Sequence, residues 1–269
     1  MPELPEITNL ANQLNQRLAD RRISGIEVLQ PKCLNLPVEE FQAALTGATI
    51  GDTHNRGKWV LTHTDRGWLM LNLGMGGELL IVDRATLPEK RRLIMDFDDG
   101  ACLSVNFWWF GYVHYAPEGA LEAHPMVGKL GPNALDLTPA RLKDLLSGAR
   151  GTLKTFLLDQ DKIAGIGNFY IHDILFTAKL HPLRKIPSLT EAEIASLAEA
   201  IHNNLKYSLE KGGAFYELDS YGNKGGFLNE DILIGYRDGK PCPTCGTPIE
   251  KLKTGSTSGF ICPTCQPLS

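Results

Sequence analysis

The first part of the chain has the apolar spacing of an amphipathic helix. Between Leu4 and Ala19 apolar side chains recur every three or four positions, which places them on one helical face. These residues are Ile7, Leu10, Ala11, Leu14 and Leu18. Pro5 would lie in the first helical turn, where its missing N–H breaks no hydrogen bond. The pattern predicts a helix over residues 4–19 with one buried face.

An extended pattern replaces the helical one from Ile23 to about Ala116. Apolar runs at 59–61 and 68–71 flank the turn-forming segment Thr64–Gly67, and runs at 93–97 and 102–105 flank residues 98–100. Each pair of runs around such a turn is typical of a β-hairpin. Hairpins that follow one another predict a β-sandwich or a β-barrel.

Helical spacing returns in the second half of the chain. Thr138-Pro139 combines an N-cap residue with a proline at the first helical position. A further helical stretch is expected from Gly151 to about Asp161. A break at Gly165–Asn168 then precedes a helix that runs through Phe176. Thr190–Glu193 has the spacing of a capping box and predicts the start of a long helix.

The element pattern divides the chain into three predicted regions. Residues 1–120 hold the first helix and the strands, residues 131–230 are mainly helical, and residues 231–269 hold a cysteine-rich end. Within the helical region, residues 212–230 are rich in glycine and polar residues and predict a loop. We find no internal repeat.

The composition is that of a globular protein. The chain has 269 residues, of which 43% are hydrophobic and 22% charged, enough for two domains with cores of their own. The formal net charge is −4, so any nucleic-acid-binding surface must be a local basic patch. No apolar run approaches the roughly 20 residues of a membrane span. The acidic N-terminus lacks the features of a signal peptide, and we expect a cytoplasmic protein.

Four of the six cysteines lie close together near the C-terminus. Cys242-Pro-Thr-Cys245 and Cys262-Pro-Thr-Cys265 are separated by 16 residues. Zinc accepts four thiolates in a tetrahedron, and a site closed in this way is structural. Two disulfides are the alternative, but a reducing compartment and the spacing favour zinc. We expect a β-hairpin between the two pairs, with residues 255–259 as its turn.

The N-terminus offers a candidate nucleophile. Methionine before a small residue such as Pro2 is normally removed, which leaves a free secondary amine. An α-amino group has a pKa of about 8, so roughly a tenth of it is neutral at pH 7 and able to attack an electrophilic sugar carbon. Glu3 is an adjacent proton donor. Taken alone, an ordinary helix start explains the segment better, because a helix dipole favours an acidic first turn.

Six segments along the chain resemble, in the same order, the signature of the formamidopyrimidine-DNA glycosylase/endonuclease VIII family. They are Pro2–Glu6, Arg56–Lys58, Leu73–Met75, Asp159–Asn168 (DQDKIAGIGN), His181–Arg184 and the terminal cysteine hairpin. The resemblance implies an α+β fold with an N-terminal helix, an antiparallel β-sandwich, and a helical helix–two-turn–helix domain with a β-hairpin zinc finger. It implies a base-excision-repair DNA glycosylase with AP (apurinic/apyrimidinic) lyase activity.

The same resemblance implies roles for four residues of the N-terminal region. Pro2 would attack the sugar C1′ and form a Schiff base, and Glu3 would be the general acid. Glu6 would help to hold the site. Lys58 would bind a phosphate near the damaged nucleotide, although by itself it reads as a solvated lysine at a strand edge.

Further residues match the family's DNA contacts. Asn168 would bind phosphate from the turn between two helices, and Lys154 matches another DNA contact. An enzyme that extrudes its target nucleotide must fill the vacated space. Met75 matches the family's wedge methionine and Phe110 its stacking aromatic residue. From spacing alone, Met75 and Phe110 would be core residues and Asn168 a turn residue.

Three positions depart from the family pattern. Asn72 replaces a histidine, and Thr257 replaces a phosphate-binding arginine of the zinc hairpin. Trp109 stands where an arginine contacts the cytosine opposite the lesion. Tryptophan stacks on a base without reading it. We therefore expect relaxed opposite-base preference, or a preference for single-stranded, gapped or bulged DNA. The sequence leaves open whether the lesion is an oxidised purine, a ring-opened purine or an oxidised pyrimidine.

Two other functions are weighed against this one. The missing arginines and the acidic balance favour a weakly catalytic or non-catalytic relative that binds damaged DNA. A zinc-ribbon protein that binds other proteins is the third reading. The main hypothesis implies damaged DNA as the partner, one structural Zn²⁺ per chain, a monomer, no membrane association, and activity at the nucleoid of a bacterial-type cytoplasm.

Overall fold

The structure is a computed structural model that describes residues 1–255 and 257–268, and these form two compact units. The first unit comprises residues 1–129 and 211–227. The second comprises residues 130–210 and the chain from Leu228 onward. Residues 211–227, which the sequence analysis placed with the helical region, thus pack with the N-terminal unit.

The first unit begins with the predicted helix and continues as a series of strands. Its elements are α1 (Leu4–Leu18), β1 (Ile23–Val28), α2 (Val38–Leu45), β2 (Ile50–Arg56), β3 (Trp59–Thr64), β4 (Gly67–Asn72), β5 (Glu78–Asp83), β6 (Leu93–Phe97), β7 (Ala101–Asn106) and β8 (Tyr112–Pro117). The predicted hairpins are confirmed as β3–β4 and β6–β7, paired antiparallel around their polar turns.

Two four-stranded antiparallel sheets share one core in this unit. Their strand orders are β1-β6-β7-β5 and β2-β3-β4-β8. Leu69 and Leu71 of one sheet belong to the same buried cluster as Leu103 and Val105 of the other. The apolar face of α1 joins this cluster, as its predicted spacing requires. Of the two expected architectures, the β-sandwich is therefore confirmed.

The second unit is helical and ends in a two-stranded hairpin. Its elements are α3 (Pro139–Leu146), α4 (Leu153–Leu158), α5 (Ile171–Thr177), α6 (Glu191–Glu210), β9 (Glu250–Thr254) and β10 (Thr257–Ile261). Thr138 caps α3 by accepting a hydrogen bond from the Arg141 amide at 3.2 Å. The predicted capping box of α6 is present, with Thr190 N donating to Glu193 Oε2 at 2.7 Å. None of the helices in the described residues has the length and apolarity needed to cross a membrane.

Helix α4 is shorter than expected, and this shapes the turn that follows it. The chain leaves the helix at Asp159 and not at Asp161, because the Asp159 backbone is extended, with φ −75° and ψ 107°. The Asp159 carbonyl then accepts the amides of Lys162 and Ile163, at 3.0 Å each, in the first of two turns. Gln160 then fixes the next turn. Its Oε1 accepts from Gly165 N and its Nε2 donates to the Ile166 carbonyl, both at 2.9 Å. The two turns bring the chain to α5 and form the helix–two-turn–helix.

Candidate active site

The N-terminal residues lie buried at the start of α1. The side chains of Glu3 and Glu6 are each only 4% exposed, and Pro2 is also buried. One Glu6 oxygen, Oε2, accepts the Glu3 amide at 2.8 Å. The other, Oε1, accepts the Ala214 amide at 2.9 Å. Glu6 thus joins the start of the helix to the 211–227 loop.

The 211–227 loop is fixed to the first unit by further hydrogen bonds. Gln13 Oε1 accepts the amide and the hydroxyl of Ser220, both at 2.8 Å. The Ser220 carbonyl accepts the Ile81 amide at 2.9 Å. Gly213 has φ +94°, and a Cβ atom there would lie 2.8 Å from Glu6 Cγ. Only glycine combines this left-handed conformation with so close an approach to Glu6.

A third carboxyl group reaches the N-terminus from this loop. Glu217 is 9% exposed, and its Oε1 lies 3.4 Å from the Met1 amine nitrogen. Burial raises the pKa of Glu217, the cationic N-terminus lowers it, and the nearby Glu3 carboxylate raises it. Glu217 could not be predicted as a site residue, because no local pattern in a polar loop shows which distant element its side chain will face.

Lys58 lies in the two-residue turn between β2 and β3 and is half-buried. Asn72 connects this turn to the next one. Its Nδ2 donates to the Lys58 carbonyl, and its Oδ1 accepts the Gly74 amide, both at 3.1 Å. The residue that replaces the family's histidine therefore holds together the turns that carry Lys58 and Met75.

Met75 and three consecutive aromatic residues form an exposed apolar cluster. Met75 is 49% exposed, and Trp108, Trp109 and Phe110 are 64%, 66% and 69% exposed. Met75 N donates to the Trp109 carbonyl and Trp108 N donates to the Met75 carbonyl, both at 2.9 Å. A Cβ on Gly74 would lie 2.1 Å from the Trp109 carbonyl oxygen, so only glycine permits this pairing. Large exposed apolar groups of this kind mark interaction sites and are not the core residues that spacing alone suggested.

In the second unit, Asn168 lies beside a tyrosine hydroxyl. Asn168 Nδ2 donates to the Tyr236 hydroxyl at 3.1 Å. The centre of the Tyr236 ring lies 6.1 Å from that of Phe169 and 5.0 Å from that of Phe260. Tyr236 itself has a left-handed backbone, with φ +59°. The side-chain amide of Asn168 and the hydroxyl of Tyr236 therefore lie next to each other. Tyr236 could not be predicted as a site residue, because its packing joins segments that are distant along the chain.

Lys154, expected to contact DNA, is 1% exposed and points into the C-terminal hairpin. Its Nζ donates to Thr254 Oγ1 at 2.9 Å, to Thr257 Oγ1 at 3.1 Å and to the Ser258 carbonyl. Burial lowers the pKa of Lys154 to about 8. Thr257, which replaces the family's arginine, is therefore a partner of the buried ammonium group.

The four C-terminal cysteines have the geometry of a zinc site. Their sulfur atoms all lie within 4.8 Å of one another, with Cys242–Cys265, Cys245–Cys262 and Cys245–Cys265 separations of 3.9, 3.4 and 3.6 Å. A tetrahedron with Zn–S bonds of about 2.3 Å has edges of about 3.8 Å. A disulfide needs sulfur atoms about 2.05 Å apart, so the disulfide alternative is wrong. The four thiolates hold one structural zinc ion.

The hairpin between the cysteine pairs is confirmed, but its turn is tighter than expected. Strand β9 ends at Thr254 and β10 begins at Thr257, with Thr254 paired to Thr257. Residues 257–259 therefore belong to a strand and not to the predicted turn. Gly255 lies in the turn as predicted, with φ +70°. Ser256 lies outside the described residues.

Comparison with known proteins agrees with this architecture over nearly the whole chain. The family model of the formamidopyrimidine-DNA glycosylase N-terminal domain matches residues 1–107, and that of the formamidopyrimidine-DNA glycosylase H2TH domain matches residues 130–219. A model of the zinc finger found in FPG and IleRS matches residues 239–268. The three matches follow the order of the helix and sandwich, the helical region and the cysteine hairpin.

Individual relatives cover the same extent. The formamidopyrimidine-DNA glycosylase of Chloroflexus aggregans is 37% identical over 274 residues, which span 100% of this chain and 99% of the relative. That of Symbiobacterium thermophilum is 35% identical over 275 residues, spanning 100% and 90%. A solved complex of Lactococcus lactis Fpg with DNA containing an abasic site has a TM-score of 0.89 at 27% identity, covering 98% of this chain and 99% of that one. The chain belongs to the formamidopyrimidine-DNA glycosylase family.

Proposed function

We infer that the protein is a base-excision-repair DNA glycosylase with AP lyase activity that acts on oxidised or ring-opened bases. Membership of the family over the full chain supports the reaction class. The observation that carries the inference is the burial of Pro2 and Glu3 at the start of α1, where Glu6 fixes the helix start to the 211–227 loop. An ordinary helix N-terminus has no need of two buried glutamates, because burying a carboxyl group is costly, nor of a loop hydrogen-bonded to one of them.

The reaction follows from the groups at this end of α1. Once Met1 is removed, the Pro2 nitrogen attacks the sugar C1′, and the bond between C1′ and the base breaks. Glu3 donates a proton to the leaving base or to the ring oxygen. The bond from C1′ to the ring oxygen then breaks, and the nitrogen lone pair forms the C=N bond of the iminium. The iminium makes the C2′ proton acidic, and loss of that proton to solvent expels the 3′ phosphate and cuts the strand. Lys58, held by Asn72, binds a phosphate beside the damaged nucleotide.

The second unit supplies DNA-binding groups and no reaction chemistry. Asn168 and the Tyr236 hydroxyl bind phosphate together. The exposed lysines Lys251 and Lys253 give the zinc hairpin the local basic surface that an acidic chain requires. Lys154 supports this hairpin surface from its buried side, because its ammonium group donates hydrogen bonds to Thr254 and Thr257. Four thiolates close the zinc coordination sphere, so the metal stabilises the hairpin and activates no water.

The exposed cluster of Met75, Trp108, Trp109 and Phe110 fills the space that an extruded nucleotide leaves. An unbranched methionine adapts to an irregular gap, and the aromatic faces replace lost base stacking. The protein acts as a monomer on damaged DNA in a bacterial cytoplasm, at the nucleoid. A weakly catalytic DNA-binding protein is not favoured, because the acidic residues at the N-terminus are retained and buried.

The aromatic cluster leads us to expect weak preference for the base opposite the lesion. Excision of one oxidised base paired in turn with each of the four bases should give rates within about tenfold of one another, because stacking accepts every base. The Trp109→Arg variant should gain a preference for cytosine of roughly 5- to 150-fold, the range of 1–3 kcal/mol for a hydrogen-bonded base contact. Single-turnover base release and strand cleavage measure both effects.

Trp108→Arg is the matched control for this experiment. It adds the same charge to the same exposed loop one residue away, so it should strengthen binding to all four duplexes alike. A strong cytosine preference in the unaltered protein would defeat the expectation of relaxed reading. Tight binding to these duplexes without base release or strand cleavage would instead support the non-catalytic alternative.

A further inference from the structure

Glu217 is the carboxyl group whose position the reaction outlined above leaves without a role. It lies on the 211–227 loop, with Oε1 3.4 Å from the Met1 amine nitrogen. Its side chain is buried, and a buried carboxyl group is rare unless it is paired. The group with which it pairs here is the N-terminus itself. The loop therefore brings an acid to the end of the chain at which the nucleophile is generated.

The groups around Glu217 define its electrostatic environment. The N-terminal amine and the Glu3 carboxylate act on it, with opposite effects on its pKa, and burial raises that pKa further. The other acid of the loop, Asp219, is engaged elsewhere. Its carboxylate accepts from Gln13 Nε2 at 3.2 Å and from the amides of Tyr221 and Asn223 at 2.9 and 2.8 Å. Within this loop, Glu217 is the acid placed at the amine.

Removal of Met1 moves the amine one residue along the chain towards α1. Consecutive Cα atoms are about 3.8 Å apart, so the new amine on Pro2 lies within about 7 Å of the Glu217 carboxyl. Rotation about the three side-chain torsions of glutamate shortens that distance, and one bridging water molecule then joins groups up to about 5.6 Å apart.

We propose that Glu217 accepts the proton that the Pro2 nitrogen must release during Schiff-base formation. The inference rests on the proposed function. A neutral secondary amine carries one proton. Its attack on C1′ forms the N–C bond, breaks the bond from C1′ to the base, and leaves the nitrogen positively charged. That proton passes to the Glu217 carboxylate. The C1′–O bond then breaks as its oxygen takes a proton from Glu3, and the nitrogen lone pair forms the C=N bond of the iminium.

The other two carboxyl groups are unsuited to this step. Both oxygens of Glu6 accept backbone amides, from Glu3 and from Ala214. Glu3 is assigned to donate a proton to the departing oxygen, so a second group must accept the proton from the nitrogen. Burial makes the Glu217 carboxylate a stronger base than an exposed one, because its pKa is raised. Glu3 therefore acts as the general acid that donates a proton, and Glu217 acts as the general base that accepts one.

The test compares Glu217→Gln with the matched loop variant Asp219→Asn. Single-turnover borohydride trapping on DNA with an abasic site is followed from pH 5 to 9, using protein verified to begin at Pro2. A nearby carboxylate stabilises the protonated amine, so removing it should move the acid limb of the trapping rate about one pH unit lower. Loss of the acceptor should also reduce the plateau rate at least about tenfold. Asp219→Asn should change neither, and Glu217→Asp should restore most of the plateau.

The outcomes separate this proposal from the proposed function. Unaltered protein that is never trapped at any pH overturns both. Trapping of the unaltered protein, with an unchanged acid limb in Glu217→Gln, overturns the role of Glu217 alone. A lower plateau without movement of the limb shows only a structural contribution and also overturns it. Thermal unfolding and binding to uncleavable abasic DNA confirm that each variant is folded, and Glu217→Asp carries the test if the glutamine variant is not.

Discussion

A peptide extension left on the Pro2 nitrogen should abolish covalent trapping of abasic DNA and reduce base excision by on the order of a thousandfold or more. An amide nitrogen has no available lone pair, so it cannot form a Schiff base. The extension would also occupy the position of Met1, whose amine lies 3.4 Å from the buried Glu217 carboxyl. Borohydride trapping of single-turnover reactions, resolved by denaturing electrophoresis, measures the effect.

The control is the same chain with the extension removed by a protease so that it begins at Pro2. The two proteins differ only at that nitrogen, so trapping should return in full after cleavage. Equal unfolding temperatures would show that the fold is unchanged. Trapping of the blocked chain at the rate of the processed one would assign the nucleophile to another residue.

Substituting a buried zinc ligand should unfold the C-terminal hairpin. Cys262 is fully buried, and serine in its place is a poor zinc ligand, so Cys262→Ser should lose the metal. Structural zinc contributes apparent binding free energies of about 10–16 kcal/mol in small fingers. Without the hairpin, Lys154 also loses its hydrogen-bond partners Thr254 and Thr257. We expect bound zinc to fall to near zero and DNA affinity to fall at least about tenfold, as measured by elemental analysis and binding titration.

Cys33→Ser is the control for zinc loss. Cys33 is also buried, and its Sγ donates to the Gln30 carbonyl at 2.9 Å, a contact that a serine hydroxyl can make. This variant should keep its zinc and its DNA affinity. Zinc content in Cys262→Ser equal to that of the unaltered protein would be incompatible with a four-thiolate site.

Local patterns were sufficient to predict most of the fold. Helix α1, the β3–β4 and β6–β7 hairpins and the caps at Thr138 and Thr190 each depend on residues within a few positions of one another. The zinc ligands were equally readable, because two Cys-x-x-Cys pairs at this spacing have few other uses. The ordered family segments then selected the sandwich over the barrel.

Contacts between distant segments account for what was missed or wrong. The burial of Lys154 depends on two threonines of the terminal hairpin, and the role of Asn72 depends on two separate turns. Helix α4 ends early because the Asp159 backbone is extended, with φ −75° and ψ 107°. Glu217 meets the N-terminus only because its loop packs with the first unit. The spacing of residues in a single sequence does not show which distant segments will contact each other.

The most direct measurement identifies the atom that bonds to DNA. Protein verified to begin at Pro2 is reduced with borohydride on DNA containing an abasic site, digested, and the cross-linked peptide is fragmented in a mass spectrometer. We expect the deoxyribose remnant to be attached to the nitrogen of Pro2. A remnant attached to a lysine such as Lys58, or to a chain that still begins at Met1, would contradict it.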